Sequence, residues 1–149
     1  MSPKIYKTSL FLLFFYLIIG IYLSLNTGIS HDEFHEQLNW EVNLHAIKNF
    51  FITGAYQDLL EYKDRYHGIG FNLLSQPFQY LIKDSLLEYL DVNEYGSILI
   101  SKHVVVFILF FISGIFFYKI CLIFFNDKKF ALLSLFLFLL YPYFFAKYV

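Results

Sequence analysis

The stretch TSLFLLFFYLIIGIYLSL, residues 8–25, is a run of 18 residues without a charge. A helix needs about 17–25 mainly apolar residues to cross the hydrocarbon core of a bilayer. The run is longer than the apolar region of about 7–15 residues in a cleaved signal peptide, and no small-residue cleavage site follows it. We therefore predict an uncleaved membrane-spanning helix over 8–25.

Two more apolar segments lie in the C-terminal third of the chain. The first, HVVVFILFFISGIFFYKICLIFF at 103–125, is interrupted only by Lys119, whose long side chain can reach the headgroup layer. The second, FALLSLFLFLLYPYFFA at 130–146, has no charge. Because only a short NDKK sequence connects them, they are predicted to form an antiparallel helical hairpin. We place these spanning helices at 99–125 and 129–147.

The overall composition favours a membrane protein over a soluble domain. Hydrophobic residues make up 58% of the chain and charged residues 15%, against roughly 45–50% and about 25% in soluble domains. All three spans should be helices, because isolated strands cannot satisfy their backbone in lipid. The predicted fold class is an all-α polytopic membrane protein with three transmembrane helices. The chain stops at the edge of the third segment, so we expect a fragment of a longer polytopic protein.

Lysine placement predicts the orientation of the spans. Lys4 and Lys7 precede the first span, and Lys128 and Lys129 lie in the turn between the second and third. Cytoplasmic flanks carry an excess of Lys and Arg, so both places are predicted to be cytoplasmic in a bacterial plasma membrane. Residues 26–98 then form an extracytoplasmic loop, in which eleven acidic residues outnumber four basic ones. The net charge of −1 gives no indication of a nucleic-acid partner, and none is expected.

The loop of 73 residues at 26–98 is too long for a simple connection. Apolar residues recur at four-residue spacing over 32–51, which predicts a helix lying at the membrane surface and covered by other protein. A second helical stretch is predicted over 71–90, entered or kinked at Pro77. The loop should therefore carry two juxtamembrane helices.

The sequence SHDEFH begins the first loop helix at Ser30. Ser30 followed three residues later by Glu33 fits a capping box, in which the acidic residues only stabilise the helix start. His31 and His35 are four residues apart and can share a zinc ion on one face of a helix, as in H-E-x-x-H enzymes. That interpretation needs a third ligand, and Asp32 stands where the motif has Glu. It leaves a metal-dependent membrane hydrolase open as an alternative function.

Asp32 and Glu33 also form an acidic pair just beyond the first predicted span. The pair is followed by a long outer loop with two surface helices and then by a hairpin of spanning helices. This order resembles the N-terminal part of the GT-C glycosyltransferases, and within them the protein mannosyltransferases and bacterial lipid-sugar-dependent transferases, which carry an Asp-Glu pair here. Many of those enzymes have a Pro-Pro-Leu-like stretch after the pair, whereas this chain has Pro77 alone.

The resemblance implies an inverting transfer of sugar from a polyprenyl-phosphate donor in the bilayer to an acceptor hydroxyl on the extracytoplasmic side. Asp32 would act as the general base, and Glu33 would orient the acceptor or tune its neighbour. No cofactor is identified in the sequence, and a divalent metal is not indicated, although metal dependence stays open.

Arg65 is the only arginine in the chain, and a guanidinium can hold phosphate oxygens through two parallel N–H bonds. We therefore consider Arg65 a candidate for the donor-phosphate site, with Tyr66 and His67 lining the same pocket. The alternative is a solvated arginine paired with Asp64 or Glu61. The main alternative function for the whole chain is a non-catalytic membrane subunit or assembly factor whose acidic loop contacts a partner.

Overall fold

The structure, a computed structural model, describes residues 3–65, 69–90 and 92–141. Every regular element in these ranges is an α-helix, which confirms the all-α prediction. The chain divides into two compact units, which we call the bundle unit (1–27 and 100–149) and the loop unit (28–99). The helices are α1 (Pro3–Asn26), α2 (His31–Thr53), α3 (Gln57–Glu61), α4 (Gly70–Leu90), α5 (Glu94–Phe125) and α6 (Lys128–Leu139).

Two of these helices are long and apolar enough to cross a membrane. They are α1, over Lys7–Asn26, and α5, over Glu94–Phe125. Only 17% of the most apolar window of α1 and 28% of that of α5 is buried, whereas an apolar helix in the core of a soluble protein is buried all round. Both helices are therefore candidate membrane spans, in agreement with the predictions for 8–25 and 99–125.

α6 is the described part of the third predicted span, 129–147. It has 12 residues, or about 18 Å at 1.5 Å per residue, against a hydrocarbon core of about 30 Å. The remainder of that span from Pro142 onwards lies outside the described residues. A third membrane crossing therefore stays a prediction.

α5 and α6 form the predicted antiparallel hairpin. The Phe117 and Phe138 rings lie 4.9 Å apart, and Phe125 lies 6.3 Å from Phe130 near the turn. The turn is short because Asp127 caps α6 directly, with its side chain accepting a hydrogen bond from the Lys129 backbone at 2.7 Å.

α1 packs against the other helices of the bundle unit through a glycine and a tyrosine. A Cβ atom added to Gly20 would lie 1.8 Å from the Phe107 ring, which is fully buried. The Tyr16 ring lies 5.8 Å from the Phe107 ring. Its hydroxyl donates to the Leu139 carbonyl at 2.8 Å, and this carbonyl is one of those that the end of α6 leaves without a helical partner.

Part of the loop unit, most clearly the first half of α4, has an inverted polarity, while most charged side chains of α2 are exposed as in a soluble protein. The buried side chains of the loop unit include Asn39 and Asn43 on α2 and Gln79 on α4, while Leu74 and Leu81 on α4 are 71% and 77% exposed. A soluble amphipathic helix buries its apolar stripe and exposes its polar face. The reversed pattern suits apolar surroundings, such as lipid, better than water.

Candidate functional site

α2 begins at His31 because Ser30 and Glu33 cap it. Ser30 has extended backbone angles, φ −84° and ψ 158°, and its N–H donates to Glu33 Oε1 at 2.9 Å. This is the Glu half of a capping box, which satisfies a backbone donor at the helix start. Glu33 is half-buried and therefore takes the capping role that its spacing from Ser30 predicts.

Asp32, by contrast, is exposed. Within residues 3–65, 69–90 and 92–141 it makes no hydrogen bond or ion pair. It lies in the first turn of α2, where the helix dipole favours negative charge. It follows Asn26, the last residue of α1, by six positions. The two acidic residues thus differ: Glu33 is part of the helix cap, and Asp32 is an exposed carboxylate.

Asp32 begins a polar row along one face of α2. Glu36, Asn39 and Asn43 follow at spacings of four, three and four residues, which places all four side chains on the same side of the helix. Asn39 and Asn43 are buried, and Asn43 Nδ2 donates to the Asn39 carbonyl at 2.7 Å. The row extends over about 17 Å, from the exposed carboxylate of Asp32 to the buried carboxamides of Asn39 and Asn43.

The segment after α3 contacts this row. The Tyr62 hydroxyl donates to Asn39 Oδ1. Burial, and secondarily the negative charge of Asp64, raises the pKa of the Tyr62 hydroxyl, so this group remains a donor. The Arg65 backbone N–H and its Nη1 both donate to the Tyr62 carbonyl, each at 3.3 Å. The helix that carries Asp32 and the turn that carries Arg65 are therefore joined through Tyr62.

Two of the predicted site residues, Tyr66 and His67, lie outside the described residues. Tyr62 and Asn39 were not predicted. They are 23 residues apart, and no local pattern relates two such residues. The sequence signal for this pair of helix positions was the four-residue spacing of Asn39 and Asn43.

The zinc interpretation rests on His31 and His35. Their ring centroids are 5.1 Å apart at an interplanar angle of 89°, and both side chains are exposed. In the part of the chain that the structure describes, no group of three or more His, Cys, Asp or Glu residues is placed to hold a metal ion. The histidine pair is therefore an edge-to-face ring contact that lacks a third ligand among these residues.

An open groove of about 280 Å³ borders α2 and α3. Glu41 and His45 line it, and Glu41 accepts a hydrogen bond from Gln37 Nε2 at 3.1 Å. Glu41 was not predicted as a site residue, and His45 was considered only as a possible third zinc ligand; their four-residue spacing places both on one helix face. Glu41 is nine residues from Asp32, or two and a half helical turns, so the groove lies on the opposite face. Its other lining residues are apolar: Leu38, Val42, Ala46 and Leu59.

Comparison with protein-family models, with curated proteins and with solved structures finds no match to this chain. The GT-C resemblance therefore rests on the Asp32–Glu33 pair and on the order of the helices around it.

Proposed function

We propose that this chain is the N-terminal part of a GT-C-like glycosyltransferase in which Asp32 is the general base. The observation that carries the proposal is the contrast within the acidic pair. Glu33 is engaged in the helix cap, whereas Asp32 is exposed, has no partner among the described residues, and lies within six residues of a candidate membrane span. A general base needs an ionised carboxylate that a substrate hydroxyl can reach.

In the proposed reaction the acceptor hydroxyl oxygen attacks the anomeric carbon of a polyprenyl-phosphate sugar. Its proton passes to the Asp32 carboxylate as the new C–O bond forms. The bond between the anomeric carbon and the phosphate oxygen breaks at the same time, and its electron pair leaves with the phosphate, which inverts the configuration. A lipid-linked phosphate cannot rise beyond the headgroup layer, so the base has to lie there.

Arg65 is the proposed cation for the leaving phosphate, because its guanidinium can hold two phosphate oxygens at once. The bonds from Arg65 to the Tyr62 carbonyl, and from Tyr62 to Asn39, support this role by joining the Arg65 turn to the helix of the base. Tyr66 and His67 follow Arg65 directly in the chain and remain candidates for the same pocket.

We also propose how the chain is oriented in the membrane. Three spans place the N-terminus in the cytoplasm and the loop unit on the outer side of a bacterial plasma membrane, as the lysine distribution favours. The inverted polarity of the first half of α4 supports contact with lipid. The partners are then the bilayer and a polyprenyl-phosphate sugar.

The second candidate is a non-catalytic membrane subunit. The cap formed by Glu33 favours it, because one member of the acidic pair already has a purely structural task.

Sugar transfer by the full-length protein separates the two candidates. Proteoliposomes would be supplied with polyprenyl-phosphate sugars, and labelled product would be measured for the wild type, Asp32→Asn and Glu36→Gln. Glu36 is the matched control, because it is an exposed carboxylate one turn away on the same face. We expect Asp32→Asn to lose about 10²–10⁴-fold in rate, with Glu36→Gln near wild type. Undiminished transfer by Asp32→Asn would remove the proposed base, and no transfer by the wild type from any donor would favour the subunit.

A further inference from the structure

The groove that borders α2 and α3 lies on the face of α2 opposite to Asp32, and the proposed transferase does not use it. Its volume is about 280 Å³, close to the lower end of the range for small-molecule sites, about 300–1,000 Å³. At about 30 Å³ for each water-sized group, it holds roughly nine of them. The groove is open, so a small molecule can enter it.

Glu41 places a carboxylate among the apolar side chains of the groove. Its Oε1 accepts a hydrogen bond from Gln37 Nε2 at 3.1 Å, which holds the carboxylate in position. In the part of the chain that the structure describes, no lysine, arginine or histidine side chain forms an ion pair with Glu41. No side chain among these residues therefore neutralises the carboxylate, and a bound cation could do so.

The His45 ring adds a hydrogen-bond donor to the same groove. Its Nδ1 lies 3.3 Å from Asn49 Nδ2. An amide nitrogen only donates, so Nδ1 accepts, and the proton of the neutral ring is on Nε2. Glu41 and His45 are four residues apart on one face of α2, which separates their Cβ atoms by about 5–6 Å. A single small molecule can therefore contact both side chains.

We propose that this groove binds a small organic ammonium ion that has an apolar body and an acceptor oxygen next to the ammonium group. The ammonium group donates to the Glu41 carboxylate, the oxygen accepts from His45 Nε2, and the apolar body lies against the apolar lining of the groove. Charge favours a cation here, because residues 26–98 contain eleven acidic and four basic residues, and such a field attracts cations and repels anions.

Other classes of ligand match the groove less well. Even a catalytic zinc site uses three protein ligands, whereas Glu41 and His45 are the two metal-ligating side chains that line the groove. A neutral apolar molecule would remove water from the Glu41 carboxylate without replacing its hydrogen bonds, which costs free energy. An ammonium ion supplies both the charge and the donors that this carboxylate accepts.

The first test uses L-leucinamide, which combines the three features of the proposed ligand. At pH 7 its amine is mostly protonated, because α-amino groups have pKa values of about 7.7–8.0. Three analogues lack one feature each: 4-methylpentanamide lacks the ammonium group, glycinamide lacks the apolar body, and 3-methylbutylamine lacks the amide oxygen. Binding to the full-length protein in a polyoxyethylene detergent would be measured by titration with saturation-transfer NMR.

We expect leucinamide to bind the wild type with a Kd on the order of 1 mM. The analogues without the ammonium group or the apolar body should bind at least about tenfold more weakly, and 3-methylbutylamine about threefold more weakly. If 4-methylpentanamide binds as tightly as leucinamide, the groove does not recognise an ammonium ion and the proposal is wrong. The absence of saturable leucinamide binding in the millimolar range would overturn it as well.

The second test assigns the binding to Glu41. Glu41→Gln removes the charge but keeps an oxygen that can accept from Gln37. Glu36→Gln is the matched control, because it makes the same change of charge in the Asp32 row of the same helix. We expect Glu41→Gln to weaken leucinamide binding about tenfold or more, and Glu36→Gln to change it by less than about twofold. Equal losses in the two variants would reveal a general effect of charge and overturn the site.

A third variant tests the role of His45. His45→Phe keeps a ring but removes the donor, so it should weaken leucinamide about threefold and leave 3-methylbutylamine binding unchanged. Equal weakening of both ligands would contradict the hydrogen bond from His45 Nε2. The comparison of the four ligands on the wild type decides the main claim even if a variant does not fold.

The site is independent of the transferase, because these measurements need no sugar transfer. If transfer depends on Asp32 and leucinamide does not bind through Glu41, the ammonium site is wrong and the proposed function stands. If leucinamide binds through Glu41 and transfer does not depend on Asp32, the proposed base is wrong and the ammonium site stands.

Discussion

Gly20 tests the packing of the bundle unit independently of any function. Gly20→Ala places a Cβ atom 1.8 Å from the Phe107 ring, where carbon atoms in contact are normally about 3.5–4.0 Å apart. Phe107 is 0% exposed and lies beside the Tyr16 ring, so it cannot swing into solvent. Either the ring or the α1 backbone has to move.

The expected cost follows from two opposing effects. Overpacking of this kind costs about 1–3 kcal/mol, occasionally more, while alanine gains about 1 kcal/mol over glycine in a helix. We therefore expect Gly20→Ala to destabilise the full-length protein by up to about 2 kcal/mol, seen as a midpoint up to several degrees lower in a thermal unfolding assay. Gly70→Ala is the helical control, because nothing lies within 4 Å of its added Cβ, and it should be neutral or slightly stabilising.

A double variant isolates the contact. Phe107→Leu shortens the side chain that Gly20→Ala meets, so the two changes together should cost clearly less than the sum of their separate costs. If Gly20→Ala is as stable as Gly70→Ala, or if the two costs simply add, α1 does not pack against Phe107 as described.

Two further predictions concern the loop unit. Tyr62→Phe removes the donor to Asn39 and should increase amide hydrogen exchange in the segment after α3, while exchange in the bundle unit stays unchanged. Equal protection in Tyr62→Phe and wild type would contradict the link between that segment and α2. Lys83 donates to Glu94 at 2.9 Å, and this hydrogen bond is the main cause that raises the Lys83 pKa above 10.5. The protonated form is favoured by folding, so its stabilisation should be complete below about pH 10 and disappear as the pH rises through the raised pKa. Lys83→Gln should remove that alkaline dependence, and an unchanged alkaline profile would exclude the pair as its source.

Helix positions follow closely from the sequence. Four-residue apolar spacing predicts a helix over 32–51, and α2 runs from His31 to Thr53. The uncharged run 8–25 falls within α1. These features are local, because helical hydrogen bonds and side-chain spacing involve residues only three or four apart.

The burial of those helices could not be predicted in the same way. Periodicity identifies the residues that share a face of α2, but not the medium that the face contacts. The apolar row was expected to be covered. Of its members, Ala46 is buried and Val42 half-buried, whereas Phe34, Leu38 and Phe50 are exposed. Asn39 and Asn43 of the same helix are buried. Whether the apolar face of a helix is buried or exposed depends on the surroundings, since such a face points inwards in water and outwards in lipid.

The same distinction between local and distant contacts applies to the candidate site. The cap formed by Ser30 and Glu33 is predictable, because it depends on a three-residue spacing. The bond between Tyr62 and Asn39 is not, because it joins distant parts of the chain and depends on how α3 packs against α2.

The side of the membrane on which residue 32 lies tests the proposed general base most directly. Asp32→Cys in a Cys121→Ala background would be labelled with a membrane-impermeant maleimide in intact cells and in inverted vesicles, with Lys128→Cys as the control for the opposite side. We expect labelling of position 32 in intact cells and of position 128 only in inverted vesicles. Labelling of position 32 only in inverted vesicles would place the carboxylate in the cytoplasm and contradict the proposed enzyme.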